Sequence, residues 1–321
     1  MRTQRLNITL PMTFTRAHLQ QHYWRYIIHH GDPCLWFAVQ SMITWDRIGF
    51  VDSQNRSRRA AGRPELPITE ETITENMLFD LAESGPFDPR RIPFVELWEA
   101  QYEPTEGNDL DLWVRYSFGW VHFMIQSKRL YENLRYTAIW HENRHGMQVD
   151  LLINASNGKG VPLYLLYNHV PNEQRNEAWC GVRCDETQYG CTVSYAPNIK
   201  AWLPPAPQER TTPTFSDLHT AHLTRGRAVP WIKLVCCRYD TKEDLCGGLG
   251  LNKEDWDKVL VSETGPVGSS FEYTPPSVLG ENKEPVSYTP YTRPKGDPKP
   301  KERDPVEGRY FTSYLMAMDV R

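Results

Sequence analysis

The stretch Asp109-Leu-Asp-Leu-Trp-Val114, followed after a short turn by Val121-His-Phe-Met-Ile-Gln-Ser-Lys128, decides the reading of this chain. It reads as two β-strands joined by a tight connection, over about 110–116 and 120–127. A hairpin centred near Ser117 and Phe118 sets Asp109 opposite Gln126 and Asp111 opposite Met124. In that register both aspartates share a face with Gln126 and Lys128, whereas a slip of one residue separates them. Acids and a lysine gathered at the end of a sheet are the groups that hold a divalent metal beside a phosphate.

Working outward, Leu19, Tyr23, Tyr26 and Ile27 recur at helical spacing, and Gly31 stops that helix. Asp32-Pro33 starts a second helix, with Trp36, Val39, Met42 and Ile43 on its apolar side. Residues 52–67, polar and rich in Arg, read as a loop. A third helix is predicted over 69–83, and 94–102 reads as a further helical turn or two. Beyond the two strands, 147–155 reads as a helix and 161–167 as a buried strand, being an unbroken apolar run. Further strands are expected at 192–195 and 231–237, and a short helix from Asn252. Residues 263–307 are rich in Pro and read as a mobile segment, and 308–320 turn apolar and are expected to return as a strand. The fold class is α/β with a mixed sheet flanked by helices. Its regions are an N-terminal helical hairpin and linker (1–66), an α/β core (67–205) and an irregular C-terminal extension (206–321).

Hydrophobic residues are 40% of the 321 and aromatics 12%, enough for a sizeable core. No run of about 18 apolar residues exists, so no membrane span is expected. The opening Met1-Arg-Thr-Gln-Arg-Leu-Asn-Ile lacks the apolar centre of a signal peptide, and a cytoplasmic protein is expected. The net charge of −4 excludes a dedicated nucleic-acid coat but leaves room for a local basic groove. Arg56, Arg58, Arg59 and Arg63 form one basic cluster, read as a solvated loop, and Lys128, Arg129 and Arg135 form another. Seven cysteines and no secretory signal argue against a disulfide framework. Cys180, Cys184 and Cys191 are spaced more loosely than zinc knuckles, so free thiols are expected there rather than structural Zn²⁺. His29, His30, His141 and His145 lack partners at ligand spacing and read as surface or packing residues.

Asp109, with Gln126-Ser-Lys128, resembles the bipartite signature of the PD-(D/E)XK nuclease superfamily in its Q-x-K variant, the restriction-endonuclease-like fold. Glu71-Thr-Ile-Thr-Glu, Gly107-Asn-Asp-Leu-Asp-Leu-Trp, Ile125-Gln-Ser-Lys-Arg, Gln148-Val-Asp-Leu-Leu and Pro162-Leu-Tyr-Leu-Leu-Tyr-Asn together look like an uncharacterised bacterial family assigned to that superfamily. The similarity covers about residues 68–200. It implies a core ordered α-β-β-β-α-β. It also implies metal ligation by Asp109 or Asp111 with Gln126, a catalytic Lys128, a first-helix acid at Glu75 or Glu71, and an auxiliary Gln148. No Pro precedes Asp109, and Gln126 stands where an acid is usual.

The residues have plainer readings too. Glu75 lies three residues after Thr72, as in a capping box. Asp109 follows Gly107-Asn108 and suits a turn, and Gln148 suits a helix start. Asp111 within a strand has no such ready account. The resemblance implies a Mg²⁺- or Mn²⁺-dependent endonuclease acting on DNA, as in bacterial antiviral defence. A homo-oligomer is one expected state, because paired cuts of a duplex call for two active sites. The alternative is a non-catalytic interaction or nucleic-acid-binding module on the same scaffold, meeting a protein partner through its N-terminal helices or Pro-rich tail.

Overall fold

The computed structural model describes residues 13–16, 33–83, 95–100, 103–174, 176–179, 182–202, 211–219, 228–237, 239–263 and 317–318. The expected helix around Leu19–Ile27 and the Pro-rich segment lie outside these residues. So do Cys180 and most of 308–320.

Helix α1 spans Pro33–Ala60 and starts where Asp32-Pro33 predicts. It takes in residues 52–60 of the stretch expected to be a loop, while 61–67 lie outside any helix or strand. Polar residues hold that stretch in place: Asp52 and Asn55 are buried on its inner side. Asn55 clasps the following turn, donating to the Leu66 carbonyl at 3.1 Å and accepting from the Leu66 amide at 2.7 Å. Helix α2 spans Glu70–Glu83. Its first turn is capped by Thr69, whose hydroxyl accepts from the Thr72 amide at 3.2 Å. The capping box predicted from Thr72 to Glu75 is therefore replaced by a cap three residues earlier.

Residues expected to add a helical turn form instead strand β1, Val95–Glu99. Val95 and Leu97 are buried at strand spacing, and period two prevails over the helical reading. After the one-turn helix α3 (Glu103–Glu106), strands β2 (Leu110–Tyr116) and β3 (Gly119–Arg129) form the predicted hairpin. Asp111 pairs with Met124 and Tyr116 with Gly119, so the register is the one that joins the aspartates to the Gln126 face. Helix α4 (Gln148–Ser156) then leads to β4 (Val161–Tyr167), parallel to β3 and buried throughout. Parallel neighbours need such a crossover, usually through a helix. Strand β5, Cys191–Tyr195, closes the set antiparallel to β4.

The sheet runs β5-β4-β3-β2-β1, with Val229–Pro230 added beyond β5 and Ala317–Met318 beyond β1. The last pair is the expected return of the C-terminal region as a strand. A separate hairpin, Asn176–Trp179 and Val182–Asp185, takes Thr13–Phe14 as a third strand. Residues 231–237 are not a strand, since Lys233–Cys236 is helical.

Helices cover both faces. Tyr167 bonds Thr74 of α2 and Arg129 bonds Asp52 of α1, which sets these helices on one side. Lys128, pointing the other way, bonds Gln148 of α4. The result is an α/β protein with a mixed sheet between helices. Among the described residues, no helix is long and apolar enough to cross a membrane.

Candidate active site

The site lies where β2 begins and β3 ends. Strand β3 runs past the start of β2, so its backbone amides there lose their ladder partners and find carboxylates instead. The Ser127 amide donates to Asp109 Oδ2 at 2.7 Å, and the Arg129 amide donates to Glu70 Oε1 at 3.2 Å. The Gln126 side-chain amide also donates to Asp109 Oδ2, at 2.8 Å. Asp109 thus closes the end of the strand and meets the side chain that the register sets opposite it.

Lys128 is only 6% exposed, and its ammonium donates to Gln148 Oε1 at 2.8 Å. A buried ammonium is stable only with such partners, so Gln148 fixes its position. The first turn of α4 approaches the strand end closely. Gly107 has a φ of +75°, and a Cβ there would lie 2.7 Å from the Gln148 carbonyl oxygen. Glycine is the residue that accepts both the left-handed conformation and the contact.

Asp111 is on the predicted face but is otherwise engaged. Its Oδ1 lies 2.7 Å from His122 Nε2 and accepts from Asn108 Nδ2 at 3.1 Å. The other His122 nitrogen faces the Lys159 carbonyl at 3.2 Å, and the ring stacks on Trp113 at 4.3 Å. Both ring nitrogens therefore face acceptors, and His122 acts as a brace for Asp111. Glu71 is exposed and Glu75 half-buried on α2, and Glu70 of that helix reaches β3.

Tyr164 of β4 is paired with Gln126 and shares its face. Burial, reinforced by the charges of Asp109 and Asp150, pushes its phenol far above the usual range, so it stays protonated. Glu70, His122, Asn108 and Tyr164 were not singled out as site residues from sequence. Glu70 carried a signal, as a first-turn acid, and His122 shares strand parity with Gln126. Tyr164 sits in an apolar run and offered none.

Among the described residues, no three His, Cys, Asp or Glu side chains are grouped to hold a metal ion. Amide oxygens are a further source of ligands. Gln126 Oε1 is buried with no hydrogen-bond partner among the described residues, beside the Asp109 carboxylate. A hard oxygen donor left over next to an anion fits Mg²⁺ or Mn²⁺. Cys184 and Cys191 are buried free thiols, and Cys191 bonds Thr44 of α1 at 3.4 Å.

Residues 34–300 match the family of unknown function DUF6615. The chain belongs to this family. No curated protein and no solved structure matches it. Of the DUF6615 span, the site residues fall in the first half, on α2, β3, α4 and β4 and on or just before β2.

Proposed function

We propose that this DUF6615 protein is a metal-dependent nuclease that hydrolyses phosphodiester bonds of DNA on a restriction-endonuclease-like core. The observation that carries the reading is the meeting of Asp109 and Gln126 at 2.8 Å, with buried Lys128 on the same face of the same strand. The order α2-β1-α3-β2-β3-α4-β4 supports it, because, apart from the one-turn α3, it follows the α-β-β-β-α-β order that the resemblance implies. The parallel pairing of β3 with β4 across α4 suits the same core.

Asp109 and Gln126 would hold the metal, which supplies Lewis-acid neutralisation of charge at the scissile phosphate. Asp109 is anchored by the Ser127 amide, so its carboxylate is set in place before a ligand arrives. Lys128 presents a fixed positive charge where negative charge builds up on the phosphate oxygens. Held by Gln148, it needs no reorganisation to do so. Asp111, braced by His122 and Asn108, adds negative charge along the same face.

Purified protein should nick supercoiled plasmid with Mg²⁺ or Mn²⁺ and stop on chelation. Asp109→Ala and Lys128→Met should each lower the rate by about 10²-fold or more, the scale seen when a preorganised charge-stabilising group is lost. Cleavage undiminished in Lys128→Met, or insensitive to chelation, would overturn the mechanism. A folded protein that neither binds metal nor cuts would favour the interaction-module reading.

A further inference from the structure

Three polar atoms close to this site have no hydrogen-bond partner among the described residues: Gln126 Oε1, the Tyr164 hydroxyl and Asn108 Oδ1. Their residues are 2%, 0% and 0% exposed. Folded interiors satisfy nearly all such atoms, so three together need a physical account. They are joined through Asp109 and its neighbours. Gln126 donates to Asp109, Tyr164 is paired with Gln126 across β3 and β4, and Asn108 precedes Asp109 in the chain.

The chemistry of the three is uneven. Two are carbonyl-type acceptors, and the third is a neutral hydroxyl that can donate. An apolar occupant would satisfy none of them. Carboxylate charge reaches this point, since Asp109 and Asp150, the latter paired with Lys200, both act on the Tyr164 phenol. Acceptor oxygens with anionic carboxylates call for a cation, and a hydroxyl calls for an acceptor such as water. A hydrated divalent ion presents both, because Mg²⁺ keeps several waters when it binds protein.

We infer that Tyr164 is a further binding residue of this site, its hydroxyl donating to the hydration shell of a divalent cation seated against Asp109 and Gln126 Oε1. The inference rests on the nuclease reading for the kind of ion. It adds a residue that takes no part in the strand-end motif. Tyr167, three residues along β4 on the other face, is the natural contrast. Its hydroxyl lies 2.7 Å from Thr74 Oγ1 and 3.4 Å from Ser127 Oγ, so it is already satisfied within the protein.

The test is a Mn²⁺ titration of the full chain, with free Mn²⁺ read by electron paramagnetic resonance, together with thermal melts in the absence of metal. Tyr164→Phe should weaken Mn²⁺ binding about tenfold, as loss of an outer-sphere partner does. Without metal its melting temperature should hold or rise, because an unsatisfied buried hydroxyl has been removed. Tyr167→Phe should do the reverse, melting lower and binding Mn²⁺ as the wild type does. Unchanged Mn²⁺ affinity in Tyr164→Phe, with binding lost in Asp109→Ala, would overturn the role of Tyr164 and leave the nuclease site standing. A metal-free Tyr164→Phe that melts well below the wild type would also overturn it, by showing that the hydroxyl has a protein partner. Absence of Mn²⁺ binding to the wild type would remove both the inference and the metal site.

Discussion

Arg129 lies one residue beyond Lys128 and, by strand alternation, on the other face of the sheet. There its guanidinium donates to Asp52 Oδ1 at 2.6 Å and to the Ile68 carbonyl at 2.6 Å, tying α1 and the start of α2 to β3. Both Arg129 and Asp52 are buried. Removing one partner of a buried pair strands the other charge, at a cost of about 3–5 kcal/mol. Arg129→Met keeps the apolar stem and should lose about that much stability at neutral pH. Burial already raises the Asp52 carboxyl above its ordinary 3.8, and Arg129 opposes that rise, so the variant raises it further. A raised carboxyl favours the folded state where the group is protonated, and that gain disappears as pH climbs through the folded value. The deficit of Arg129→Met should therefore be smallest near pH 4 and largest near pH 7 in urea melts. An equal deficit at both would show that the stranded carboxylate is not its cause.

The approach of α4 to the strand end is set by how closely Gly107 packs on it. Gly107→Ala brings two costs: a left-handed conformation, about 1–2 kcal/mol, and overpacking against α4 backbone, about 1–3 kcal/mol. Gly158 has a φ of +70° with nothing within 4 Å of its missing Cβ, so Gly158→Ala carries only the first. Chemical denaturation should rank Gly107→Ala as the more damaging, and equal losses would mean that α4 yields freely. The elements that sequence revealed are those governed by local signals. The β2–β3 register follows from strand parity and a two-residue turn, and the start of α1 from Asp32-Pro33. The elements it hid depend on distant partners. The last two turns of α1 look like loop until Asp52 is paired with Arg129. Val95-Glu-Leu-Trp-Glu suits a helix or a strand until β2 lies beside it. Within the site the same division holds. Asp109, Gln126 and Lys128 were legible from one hairpin. The bracing of Asp111 by His122 and Asn108, the reach of Glu70 and the placing of Tyr164 depend on cross-strand and tertiary contacts.

Over the whole molecule, charge sets how a long anion could be held. The chain carries a net charge of −4, and many of its described cations are occupied within it. Arg56 and Arg59 pair with Glu132, Lys159 with Glu106, Lys200 with Asp150 and Lys258 with Asp255. Of the arginine cluster expected in a solvated loop, Arg56 and Arg59 are thus helix-borne partners of Glu132, Arg58 donates to the Pro64 carbonyl and Arg63 lies beyond the helix, while Arg129 of the second cluster is buried. Exposed pairs of this kind are individually weak, yet each pairs a cation that a phosphate backbone would otherwise attract. On the proposed nuclease reading, binding of duplex DNA should then engage few phosphates beyond those at Lys128 and the metal. Each phosphate neutralised contributes about −0.9 to the slope of log affinity against log salt, so two or three give a slope near −2 to −3. Fluorescence anisotropy with labelled duplex in Ca²⁺, to support binding without rapid turnover, should show that shallow slope. Affinity should drop sharply on chelation. A slope steeper than about −6, persisting without metal, would place the main nucleic-acid contact on a basic surface away from Asp109 and Lys128.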